Sequence, residues 1–64
     1  MVDSETLYST LNHNVRVIDN DNNSHVGKVY NYESEWDSGT GEADIWIDDG
    51  IFSESDIQSI EITD

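Results

Sequence analysis

Ala43-Asp44-Ile45-Trp46-Ile47-Asp48-Asp49-Gly50-Ile51-Phe52-Ser53 is the stretch whose reading decides the fold. Two apolar runs, 43–47 and 51–52, flank Asp48-Asp49-Gly50. Asp-Gly between β-rich runs predicts a tight hairpin, because glycine accepts the positive φ that a primed turn demands and aspartate tolerates it. Alternation within the first run places Ala43, Ile45 and Ile47 on one face and Glu42, Asp44, Trp46 and Asp48 on the other. Downstream, Ser55-Asp56-Ile57 suits a single helical turn. A last strand is predicted over Ser59–Thr63, with Ile60 and Ile62 inward and Ser59, Glu61 and Thr63 outward.

Working back toward the N-terminus, residues 33–41 (E-S-E-W-D-S-G-T-G) form an acidic, glycine-containing loop of ordinary length. Residues 25–32 (H-V-G-K-V-Y-N-Y) predict one strand interrupted by Gly27, the mark of a bulge or sharp bend, with Val29 pointing inward. The run 19–24 (D-N-D-N-N-S) is built from turn formers, and Val15–Ile18 precedes it as a strand with Val15 and Val17 on a shared face. Residues 3–11 predict a short helix. Asp3 or Ser4 can cap it, Glu5 favours the positive end of its dipole, and Leu7 and Leu11 lie four apart on one side. Nine residues are too few for a helix to stand alone in water, so this one must dock its leucines on the strands.

At 64 residues the chain suffices for one domain. It carries no cysteine, so disulfides and thiolate sites are excluded, and a reducing compartment suits it. No apolar run approaches the roughly 20 residues that span a bilayer. The start, Met1-Val2-Asp3-Ser4-Glu5, lacks the basic region and apolar core of a secretory signal, so the reading is a cytoplasmic, unprocessed protein. Fifteen acids stand against Lys28 and Arg16, for a formal charge of −13 with 34% hydrophobic residues. That balance approaches the signature of disorder, but the apolar residues cluster in short alternating runs, which predicts a folded chain. Two cations cannot supply the counterion release that drives phosphate-backbone binding, so direct contact with nucleic acid or an anionic membrane is disfavoured. A basic protein partner is favoured.

A short helix, five short strands, a bend in the second strand and a helical turn before the last make the plan of a small open barrel. The arrangement V-R-V-I-D (15–19), V-G-K-V-Y-N-Y (26–32) and F-S-E-S-D-I-Q-S-I-E-I (52–62) resembles small Sm-like domain proteins of Gram-positive bacteria. The resemblance implies a mainly β fold: a bent, five-stranded open barrel over about 15–63, capped by an N-terminal helix over about 3–11, as a single domain of residues 1–64. Sm-like proteins commonly form rings and bind RNA through polar and basic loop residues. This chain departs from that pattern in having almost no arginine or lysine and no Asn/Asp-Gly-Arg-type signature near its last strand.

The candidate chemistry is sparse. Asp19, Asp21 and Asn23 alternate as at the start of a calcium loop, but Ser24 and Tyr30 stand where the template needs glycine and glutamate, so an ordinary polar turn is expected. His13 and His25 lack a nucleophile or further ligand at a recognised spacing and read as exposed or strand-edge residues. No nucleophile elbow or phosphate loop is present, and the chain reads as non-enzymatic, without cofactor or metal. Aromatics set among acids are the remaining feature. Tyr32, Trp36, Asp37, Asp44 and Trp46 are the candidate partner-binding residues, since Trp and Tyr dominate interface energetics. For Trp46 the competing reading is burial under the helix or against Tyr30. Acidic strand edges discourage self-pairing, which favours a monomer over a dimer or ring. The reading is a small acidic protein-interaction or regulatory module. A nucleic-acid mimic and an oligomeric RNA binder are the alternatives.

Overall fold

The structure, a computed structural model, describes residues 2–64. Helix α1 (Ser4–Ser9) is followed by strands β1 (Asn14–Asp19), β2 (Ser24–Lys28), β3 (Asn31–Glu33), β4 (Asp44–Ile47) and β5 (Gly50–Ser53), a 3₁₀ turn (Glu54–Asp56), and β6 (Ile57–Ile62). The strands form two antiparallel sheets in the orders β2-β1-β6 and β3-β4-β5. The fold is mainly β with a short N-terminal helix, as expected. Among the described residues the sheets do not join into a closed barrel: β5 and β6 follow one another in the chain but pair with β4 and β1, not with each other.

Between the sheets lies a core of Leu7, Val15, Val17, Val29, Ala43, Ile45, Ile47 and Ile57, with Val2, Leu11, Tyr32, Phe52 and Ile60 packed around it. The alternation read from the sequence holds in β1 and β4: Val15 and Val17 are buried, and so are Ala43, Ile45 and Ile47. Val29 is buried too, as expected. The helix is held by Asp3, whose carboxylate accepts from the Thr6 amide at 2.8 Å, and it buries Leu7. It ends before residue 11 because Asn12 turns left-handed, with φ of 70°, and the Asn12 amide bonds to the Val29 carbonyl at 2.8 Å instead of to the helix.

Three expectations are corrected. The single second strand is two strands, and its break is not at Gly27. The β1–β2 register runs unbroken from Asn14↔Lys28 to Ile18↔Ser24, so Gly27 is no bulge. The chain changes partners two residues later: the Val29 amide donates to the His13 carbonyl at 3.0 Å, whereas the Tyr30 amide donates to the Trp46 carbonyl at 3.1 Å. That switch of partner is a corner, and it carries the chain from one sheet into the other. Gly27 lies beneath Ile47 of β4, where a Cβ would meet the Ile47 Cβ at 3.5 Å, an ordinary contact distance.

Second, Asp49-Gly50 is not the centre of a primed turn. The pair Ile47↔Gly50 closes a loop of Asp48 and Asp49, neither of which has positive φ. An unprimed turn splays a hairpin; Gly50, with φ of 147°, absorbs the mismatch as the first residue of β5. Third, β6 begins at Ile57 and contains a register shift: Ile18 faces Ser59 and Asp19 faces Ile57, leaving Gln58 as the extra residue. The irregularity breaks the period of two, so Ile57 is buried and Ile60, three residues on, packs against the core. Ile62, expected inward, is exposed near the end of this edge strand.

Candidate interaction face

Cross-strand pairing sets the outer face of the second sheet. Asn31, Trp46 and Ile51 stand opposite one another in one row, and Glu33, Asp44 and Ser53 form the next row on the same face. Trp46 is half-buried and Ile51 is 57% exposed. Ile51 also lines an open cleft of about 320 Å³ with Asp19, Asn20, Asp21, Phe52 and Asp56. The apolar row therefore runs into a cleft with an Ile51–Phe52 wall and carboxylates around it.

Of the residues expected to bind a partner, Trp36 is 85% exposed and sits with exposed Asp37 on a loop tightened by bonds from the Asp37 and Ser38 amides to the Ser34 carbonyl. Glu35 accepts from the Ser4 hydroxyl at 3.2 Å and ties this loop to α1. Tyr32 is half-buried and leans inward on the core, its ring edge-on to Tyr8 at 5.2 Å. Burial, with the carboxylates of Glu35 and Glu54 nearby, pushes its phenol above the ordinary range. Asp44 is only 9% exposed. It does share a face with Trp46, but it accepts from the hydroxyl of its cross-strand neighbour Ser53 and does not present its carboxylate to solvent. The same corner is tightened by Glu54, which accepts from the Ala43 amide at 2.6 Å, and by Glu42, which accepts from the Ser55 amide at 2.7 Å. These acids hold loops in place.

The stretch Asp19–Asn23 is an Asx-type turn. One Asp19 carboxylate oxygen accepts from the Asp21 amide at 2.8 Å and the Asn23 amide at 3.0 Å, with Asn22 left-handed at φ of 66°. The other oxygen accepts from His25 Nε2 at 2.8 Å. Among the described residues no group of three or more His, Asp or Glu side chains is arranged to hold a metal ion. The two histidines sit at opposite ends of the β1–β2 ladder. His13 is exposed near Asp64, 3.4 Å away, whereas His25 is not a plain edge residue: its side chain is 23% exposed and both ring nitrogens are engaged. The hydrogen bond it donates to Asp19, then that to Asp49, raises its pKa, and His25 in turn is the main influence lowering that of Asp19.

Sequence reasoning missed Ile51 and the meeting of His25 with Asp19 and Asp49. Ile51 was legible in principle, because a two-residue loop at 48–49 forces the pairing of 46 with 51. The approach of Asp19, His25 and Asp49 had no local signal, since Asp19 and Asp49 belong to different sheets. No helix of the described residues is long and apolar enough to cross a membrane. In comparisons with known proteins, no family model, curated protein or solved structure matches the chain.

Proposed function

We propose that this chain is a small, non-enzymatic interaction module that receives a basic segment of a protein partner on the Trp46–Ile51 row and the adjoining acidic cleft. One observation carries the reading: exposed apolar surface, Ile51 with Phe52 behind it, leads into a cleft edged by Asp19, Asp21 and Asp56 in a chain of formal charge −13. A lysine or arginine has the matching anatomy, an apolar stem to lie on Ile51 and a cationic head to meet the carboxylates. Long-range attraction from the whole acidic surface raises the encounter rate with such a partner. Trp36, on its own loop, is a second anchor. A cytoplasmic, monomeric protein suits this role.

If β2 and β3 are counted as one strand bent at Val29–Tyr30, five strands follow a short helix in a continuous strip. That bend and the helix support a small, open Sm-like barrel. They do not bring an RNA site with them, because Arg16 is paired with Glu61 at 2.9 Å and Lys28 is the one other side chain of permanent positive charge.

The test immobilises the full chain, exposes it to a lysate of its native host, elutes with a salt gradient and repeats the capture with Ile51→Asp and Trp36→Ala. The expected result is a basic protein that elutes as salt rises and is lost on Ile51→Asp. Elution of that protein by competing DNA would identify the chain as a nucleic-acid mimic. Retention unchanged in both variants, or capture of an RNA in place of a protein, would overturn the proposal.

A further inference from the structure

His25 lies where the two sheets meet. It belongs to β2, and its ring stacks at a tilt against Phe52 of β5, with centroids 4.8 Å apart. Its Nε2 is 2.8 Å from Asp19 Oδ2 in the first sheet, and its Nδ1 is 2.9 Å from Asp49 Oδ2 on the β4–β5 turn. Ionised carboxylates only accept hydrogen bonds, and a neutral imidazole has only one N–H to donate. Satisfying both contacts therefore requires the doubly protonated ring. The two carboxylates are not equivalent. Asp19 is also fixed by the amides of Asp21 and Asn23, whereas Asp49 is 57% exposed at its side chain, and its only side-chain hydrogen bond among the described residues is to His25.

We propose that His25 is a proton-operated clamp: as an imidazolium it fastens the β4–β5 turn to the β1–β2 sheet, and on losing the Nδ1 proton it keeps Asp19 and releases Asp49. The asymmetry decides which contact fails. Asp19 cannot swing away without abandoning its turn amides, so the remaining proton stays on Nε2. The Nδ1 lone pair then faces a carboxylate oxygen of Asp49, a repulsive pairing that the exposed turn relieves by moving off. The charged groups on the surrounding elements all favour the proton. They are Asp19 at the end of β1, Asp21 in the following turn, Asp48 and Asp49 in the β4–β5 turn, and Asp56 in the 3₁₀ turn beside the cleft. Neither Asp19 nor Asp49 has a lysine or arginine within salt-bridge distance among the described residues; Arg16 is engaged by Glu61. Burial of the ring opposes the charge but is outweighed by the two hydrogen bonds, so the transition falls above the ordinary histidine value of about 6.5. The clamp stands on this geometry and does not depend on the partner proposed above. It does border the same cleft, through Asp19 and Phe52.

The experiment is a pH titration of the full chain by ¹⁵N-detected imidazole NMR, with His25→Gln to assign the signals and Asp49→Asn as the probe variant. The expected midpoint for His25 is above about 6.5. Above it, Nδ1 should show the unprotonated shift while Nε2 stays protonated, and the amides of residues 48–50 should move with the same midpoint and lose protection severalfold. In Asp49→Asn the midpoint should fall and those amides should cease to follow it. A midpoint at or below the ordinary value, the opposite tautomer, or turn amides indifferent to the titration would each overturn the clamp. So would an Asp49→Asn variant that titrates as the parent does.

Discussion

Replacing Gly27 separates two accounts of why glycine stands there. If it marked a bulge or an unusual backbone conformation, any side chain would strain the strand. The structure instead gives it ordinary strand pairing with Val15 and no positive φ, beneath Ile47 of the other sheet. A Cβ would meet the Ile47 Cβ at 3.5 Å and the Asp48 amide nitrogen at 3.8 Å, both ordinary contact distances. Gly27→Ala therefore fits without displacement and removes chain entropy from the unfolded state, for a gain of about 0.4–1 kcal/mol. In a domain of this size that corresponds to a rise in Tm of roughly 2–8 °C. Gly27→Val is different. Its γ-carbons reach about 1.5 Å beyond Cβ into a space already closed by Ile47, so β4 must shift at a cost of about 1–3 kcal/mol, typical of overpacking. Urea unfolding followed by tryptophan fluorescence and circular dichroism measures both. Ordinary packing of position 27 under Ile47 is refuted if Gly27→Ala is destabilising by more than about 1 kcal/mol, or if valine is tolerated as well as alanine.

Leu7→Ala should cost about 2–5 kcal/mol, the usual range for a fully buried leucine, against a total of about 3–10 kcal/mol for a domain of 64 residues. Equilibrium unfolding checks this, and a loss under about 1 kcal/mol would mean that α1 is not a structural part of the core. Gly50→Ala has empty space around it but must adopt a φ of 147°, so it should destabilise by more than about 1 kcal/mol through the backbone alone; a neutral result in a thermal melt would contradict the turn geometry. Added salt should raise the unfolding midpoint, because screening relieves repulsion in a chain of charge −13; midpoints that fall from low salt to about 0.5 M would refute this. The stability profile against pH should reflect both ends of the His25–Asp19 contact. A raised histidine pKa means that its contribution is complete below about 6.5 and is lost as pH rises through the higher folded value, and a lowered aspartate pKa means that its contribution is lost as pH falls below the ordinary carboxylate range. The stability difference between the parent and His25→Gln should therefore narrow toward alkaline pH, to what the neutral ring keeps with Asp19 and Phe52, and a constant difference across the range would rule the linkage out.

The residues proposed to bind a partner show how far residue order reaches. Trp36 and Asp37 were identifiable as exposed because the loop around them is acidic and rich in glycine and serine, and the structure places both in solvent. Asp44 was placed correctly on the Trp46 side of its strand, yet it is covered. Alternation reveals which face a side chain takes but not what lies over that face. Here the neighbour is Ser53, brought opposite by the hairpin register. Tyr32 illustrates the same limit in reverse: its row with Ile45 and Phe52 turns it toward the core, a consequence of pairing and not of its own neighbours in sequence.

Local chemistry by itself determined the β class, the short helix with its Leu7/Leu11 side turned to the strands, the inward sets Val15/Val17 and Ala43/Ile45/Ile47, and the excess of negative charge. Each follows from interactions between residues a few positions apart, or from charge, which needs no geometry to be counted. Only the tertiary structure decided that the chain changes sheets between Val29 and Tyr30, that Gly27 lies beneath Ile47, and that His25 finds a carboxylate on either side. Those outcomes join residues distant along the chain, such as Asp19 and Asp49, and such meetings are fixed by how two sheets pack, a choice made by the whole core at once.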